Sequence, residues 1–123
     1  MSTLVEQPTV EGRNFINGEF ITNRGGGEYQ NINPATGESL GTFPQSTQEE
    51  VLGAVNHAKV AFTTWRRKSR GERAEILNRV AGLIEKRRNK LARIISLETG
   101  KNYNESIAEV NEALHMGDRK SVV

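Results

Sequence analysis

TQEEVLGAVNHAKVAFTTW, residues 47–65, is where the period of this sequence changes. Val51, Val55, Ala58, Phe62 and Trp65 recur at spacings of four, three, four and three, which lays them along one face of an α-helix. Thr47 stands before the run and Glu50 three residues on. That is capping-box spacing, in which hydroxyl and carboxylate satisfy two amide donors that the first turn leaves open. Outward toward the C-terminus, RRKSRGER at 66–73 breaks the stripe, and Ser69 with Glu72 offers a second capping box. Ile76, Leu77, Val80, Leu83, Ile84, Leu91, Ile94 and Ile95 trace a second helix, which Gly100 is placed to end. Asn102 and Glu105 mark a third start, followed by Ile107, Val110 and Leu114.

Outward in the other direction the period falls to that of strands. NFINGEFI, residues 14–21, sets Asn17-Gly18 between two apolar pairs. Asn-Gly tolerates positive φ at both central positions of a type I′ turn, whose twist suits a hairpin. A second strand pair is expected in EYQNIN and ESLGTF, joined by Pro34-Ala35-Thr36-Gly37. Residues 1–13 show no periodicity and read as a flexible arm. The expected organisation is thus an arm over 1–13, a β-hairpin region over 14–47 and a helical region over 48–117. The fold class is α/β. Helices with one apolar face need a surface to cover, and no Val/Ile-rich strand of the parallel kind occurs in the sequence, so the sheet they cover is expected beyond residue 123.

The composition is that of a polar globular protein: 35% hydrophobic and 26% charged, with a mean hydropathy of −0.60. No apolar run is long enough to span a membrane and no secretory signal opens the sequence, so a cytoplasmic location is the expectation. The absence of cysteine excludes disulfides, thiolate metal sites and thiol catalysis by these residues. The net charge of +2 is unevenly spread. Residues 1–47 carry five acids and two bases, residues 48–101 six acids and thirteen bases, and residues 102–123 four acids and two bases.

FINGEF and NINPATGESLGTFPQST resemble the opening strands of an aldehyde dehydrogenase. AVNHAKVAFTTWRRKSRGERAEILNRVAGLIEKRRNKLARIISLETGK resembles its first two helices and ESIAEVNEALHM the start of its third. The resemblance runs from Asn14 to Met116. It implies an enzyme of several hundred residues with a Rossmann-like domain for NAD or NADP, a catalytic domain and an oligomerisation arm, of which this polypeptide is an N-terminal fragment. Two β-hairpins and three amphipathic helices would then belong to an incomplete cofactor domain. The family oxidises an aldehyde by attack of a cysteine thiolate, hydride transfer to the nicotinamide, and thioester hydrolysis assisted by a glutamate. None of those groups can be assigned here, so no catalytic and no cofactor-binding residue is expected in the fragment, which should be inactive alone. The complete protein is expected to form a homo-oligomer, with an aldehyde as substrate and without nucleic acid or membrane partners.

The remaining candidates divide between chemistry and plain structure. LETGKN, residues 97–102, has Gly-Lys before a helix start, but a Walker loop needs Gly where Ile95 stands and Ser or Thr where Asn102 stands. Gly100 as a helix stop, with Lys101 near the negative end of the helix dipole, accounts for the same residues. Gly25 to Gly27 precede a strand, so no helix terminus stands ready there for an anion. His57 and His115 are isolated and lack metal spacing. One site follows from the resemblance. Some family members hold a monovalent cation between backbone carbonyls and an acidic side chain, at positions that match Asn31, Ile32 and Glu98.

The alternative is a stand-alone helical module that binds a partner, such as nucleic acid, through the basic region 66–93. RRKSRGER with neighbouring glutamates reads better as a solvated face. At the other end, the apolar stripe of the third helix asks for a residue near 117 or 118 and meets Gly117 and Asp118. Asp118 to Val123 can be encoded by bases that match the start of a common sequencing adapter. Residues 118–123 are therefore expected to be a non-native tail, with Gly117 at its margin.

Overall fold

The computed structural model describes residues 12–21 and 25–120, the last three as backbone. Most of the arm expected over 1–13 and the last three residues of the tail expected over 118–123 lie outside that range.

Two antiparallel pairs come first. β1 (Asn14–Ile16) and β2 (Glu19–Ile21) form one two-stranded sheet, with Phe15 opposite Phe20 and Ile16 opposite Glu19. The turn between them has φ +53 at Asn17 and +82 at Gly18, the doubly positive pattern of a type I′ turn. Phe15 and Phe20 meet with ring centroids 4.9 Å apart, and the Arg13 guanidinium lies 4.8 Å over Phe20. β3 (Glu28–Ile32) pairs with β4 (Ser39–Pro44) in a second sheet, on which Tyr29 stacks over Phe43 at 5.8 Å.

Four helices follow. α1 (Gln48–Trp65) opens on a full capping box: the Glu50 amide donates to Thr47 Oγ1 at 3.2 Å and the Thr47 amide to Glu50 Oε2 at 2.8 Å. α2 (Arg70–Lys86) repeats it, with the Glu72 amide on Ser69 Oγ at 3.2 Å and the Ser69 amide on Glu72 Oε2 at 2.7 Å. The second helix expected from the sequence is divided. It stops at Arg87 (φ −104, ψ 8), and α3 (Arg88–Thr99) starts afresh with no side chain capping it. The apolar pattern permits the break, because it leaves a gap between Ile84 and Leu91. With nothing in that gap to bury, the backbone can reorient so that α3 presents Ala92 to α4 (Tyr103–Lys120). α4 runs through Gly117 without the break that the sequence suggests at that residue.

The core is small and sits where α4 crosses α3 and α2. Ala92, Ser106 and Val110 are buried there, and the two hydroxyls of Ser96 and Ser106 meet at 2.8 Å. Small side chains let the helices approach closely. At the far end of α4, a Cβ built on Gly117 would lie 3.3 Å from the Ala81 methyl. α1 has no comparable partner among the described residues: Val51, Val55 and Phe62 remain 52, 46 and 56% exposed. Leu77, Val80 and Leu83 of α2 are exposed as well.

Candidate functional site

The segment Asn31 to Glu38 is folded by its own polar groups. The Asn33 side chain, 7% exposed, accepts the Ala35 amide at 2.9 Å, an Asx turn that aims the backbone back after proline. The Asn33 amide donates to Glu38 O at 2.9 Å, and the Gly37 amide to Asn33 O at 2.8 Å. Just before this turn the β3–β4 ladder slips: Asn31 faces Gly41, whereas Ile32 faces Ser39, so Leu40 is an extra residue. Such a bulge takes backbone groups out of regular pairing and bends the strand. It lies opposite Asn31 and Ile32, the two residues whose carbonyls the family resemblance nominates.

Glu98 arrives from the last turn of α3. Its Oε1 accepts the Asn31 Nδ2 amide at 2.6 Å, joining residues 67 positions apart. Gly100, in the left-handed region at φ +74, ends the helix by donating its amide to Ser96 O at 3.0 Å. Its missing side chain matters, because a Cβ there would lie 3.2 Å from Pro34 Cγ. The proline turn and the helix end are therefore interlocked, as Asn31 and Glu98 are.

The electrostatics around Glu98 are one-sided. Its carboxylate stands at the negative end of α3, whose last turn carries no base. Lys101 turns instead to Glu109 of α4, an exposed ion pair that raises the lysine pKa above its ordinary value. A carboxylate beside a helix C-terminus is an oxygen-rich, negatively biased environment of the kind a hard cation takes. Asn31 Nδ2 meets part of that demand as a neutral donor.

Phosphate binding at a helix uses free amides at its N-terminus. Here Thr47 and Ser69 cap α1 and α2, and Asn102 Oδ1 accepts the Glu105 amide of α4 at 2.9 Å, whereas α3 starts without a side-chain cap. β4 leads into α1 through Gln45-Ser46-Thr47, without the glycine loop that lets a pyrophosphate approach.

The other sequence candidates stay apart. His57 Nδ1 lies 2.9 Å from Gly53 O on its own helix, whereas His115 faces a groove between α2 and α4 with Glu85 and Arg88. No group of three metal-competent side chains occurs among the described residues. Arg66, Arg67, Lys68 and Arg70 are exposed around the α1–α2 connection, where Glu72 is engaged by Ser69. No helix among the described residues is long and apolar enough to cross a membrane. The side-chain role of Asn31 and the Asx turn of Asn33 are the functional details that sequence reasoning missed. The Asn-Pro pair signals the turn, and nothing local signals the contact with Glu98.

Comparison with known proteins agrees with this architecture. Residues 20–119 match the profile described as Aldehyde dehydrogenase family. The malonate-semialdehyde dehydrogenase 2 of Geobacillus kaustophilus is 41% identical over 102 residues, which cover 83% of this chain and 21% of that protein. The NAD-dependent aldehyde dehydrogenase of Sinorhizobium meliloti superposes with a TM-score of 0.84 at 27% identity, over 95% of this chain and 25% of that one. The NADP-dependent glyceraldehyde-3-phosphate dehydrogenase of Bacillus halodurans, solved with NADP, gives a TM-score of 0.83 at 32% identity, over 89% and 24%. The chain thus spans about a fifth of the length of the curated relatives it matches.

Proposed function

The chain belongs to the aldehyde dehydrogenase family, and on that premise we propose that it serves as the amino-terminal part of an enzyme that oxidises an aldehyde to a carboxylic acid with NAD or NADP. The observation that carries this reading is the family match over residues 20–119, from the end of β2 through the second hairpin and the four helices. Relatives named for malonate semialdehyde favour a semialdehyde as substrate. The cofactor, when bound to the complete protein, accepts the hydride. These 123 residues contribute neither its binding loop nor, lacking cysteine, the thiolate nucleophile. By themselves they turn over no aldehyde and bind no dinucleotide. The complete protein assembles as a homo-oligomer, without nucleic acid or membrane as partner.

The reading is tested by following the reading frame in its source DNA and expressing the product. Formation of NADH or NADPH with malonate semialdehyde, succinate semialdehyde or betaine aldehyde, abolished by a thiol alkylating reagent, is the expected result. A full-length product that reduces neither cofactor with any of them overturns it.

The same reading gives Asn31, Ile32 and Glu98 a monovalent cation, held by the two backbone carbonyls and the carboxylate. Potassium then raises the melting temperature of the complete enzyme relative to a tetramethylammonium salt. Glu98→Gln keeps an acceptor for the Asn31 amide but removes the charge, and it should abolish the potassium effect. An unchanged response rules out the site.

A further inference from the structure

Asn17-Gly18 is the single Asn-Gly pair in the sequence, and it sits at the exposed tip of the β1–β2 hairpin. We propose that Asn17 is a site of spontaneous, non-enzymatic modification, losing its side-chain amide through attack by the Gly18 backbone nitrogen, and that the isoaspartyl product unpairs β1 from β2.

The chemistry is self-contained. A base takes the Gly18 amide proton, the nitrogen forms a bond to Asn17 Cγ, and the bond from Cγ to Nδ2 breaks to release ammonia. A five-membered succinimide remains. Water then adds to either of its carbonyls, leaving an aspartyl residue at position 17 or an isoaspartyl residue whose backbone passes through the former side chain. The net change is one water consumed, one ammonia released and one negative charge gained.

Three observations select this asparagine. Attack requires an approachable backbone nitrogen, and an added Cβ on Gly18 would meet nothing within 4 Å. Attack also requires the turn to leave its paired geometry. β1 and β2 have three residues each, and a hairpin of that size is marginal in water, so local opening costs little. No other asparagine in the sequence precedes glycine. Asn56, Asn78, Asn89, Asn104 and Asn111 lie in helices and precede bulky residues, while Asn33 precedes proline, which has no N–H to react.

The product matters because hairpin register depends on turn length. An isoaspartyl linkage adds a backbone atom between Ile16 and Glu19. It thereby pulls Phe15 out of line with Phe20, the pair whose ring contact and Arg13 cover hold this hairpin together.

The test is to incubate the protein at mildly alkaline pH and digest it with trypsin. The peptide of residues 14–24 contains Asn14, Asn17 and Asn23, so two asparagines of the same peptide serve as controls. Expected are amide loss at position 17 well ahead of 14 and 23, an excess of isoaspartyl over aspartyl product, and labelling by an isoaspartyl methyltransferase. Asn17→Gly, which suits the same turn, should lose the labelling. Conversion at position 17 no faster than at the two controls overturns the proposal. In the converted fraction the amide protons of residues 14–21 should lose their exchange protection. Protection equal to that of the unmodified protein refutes the unpairing.

Discussion

Gly100 satisfies two demands that pull against any other residue. Its φ of +74 lies where a Cβ is strained, and a Cβ there would crowd Pro34 Cγ at 3.2 Å. Gly100→Ala should therefore cost about 1–2 kcal/mol, read as a lower urea midpoint of the complete protein. Gly53 offers the opposite case. It lies inside α1 with ordinary helical φ and nothing within 4 Å of an added Cβ, so Gly53→Ala should gain up to about 1 kcal/mol by the same measurement. The helix stop at Gly100 is legible in the sequence, because glycine after a periodic run is a local signal. The hydrogen bond from Asn31 to Glu98 is not. It spans 67 positions, and a strand residue and a helix residue meet there only because the two elements are packed by contacts that neither segment encodes alone.

Capping carries the same lesson to whole elements. Thr47 with Glu50 and Ser69 with Glu72 are readable at fixed spacing, and both boxes form as read. In the second, hydrogen bonds from the Ser69 backbone and side chain hold the Glu72 carboxyl below its ordinary pKa. A carboxyl whose folded pKa is depressed contributes stability above its unfolded pKa and loses it as the pH falls through the folded one. The start of α2 should accordingly fray on acidification below the ordinary carboxylate range. Carbon-detected titration of Glu72 with amide exchange at Arg70 to Arg73 checks this. Glu72→Gln keeps the acceptor of a capping box and should remove the acid step, whereas Ser69→Ala should cost about 1 kcal/mol at neutral pH. The division of the second helix at Arg87 was less legible. Lys86 to Lys90 are good helix formers apart from Asn89, so propensity argues for continuity. What breaks the element is tertiary: α2 and α3 each pack on α4, and one straight helix would not present both faces to it.

At the scale of the whole molecule, much of the apolar surface has no cover among the described residues. Val51, Val55 and Phe62 of α1 and Leu77, Val80 and Leu83 of α2 are exposed. Uncovered apolar helix faces of this kind drive association. The polypeptide expressed by itself should bind a hydrophobic dye and sediment as species larger than a monomer in a concentration-dependent way, and Val55→Lys with Phe62→Ser should reduce both. A monomer with a sharp thermal transition and no dye binding would contradict this. The class of fold and its element order follow from periodicity in the sequence, but which faces stay open depends on packing distances that periodicity does not contain. Those distances also give α4 a mechanical character. Ser106 is fixed against Ser96 near one end, and Gly117 lies against Ala81 eleven residues further on, three turns along the same face. α4 is thus seated at two points by small residues, and a larger side chain at either would lever the helix off its neighbours.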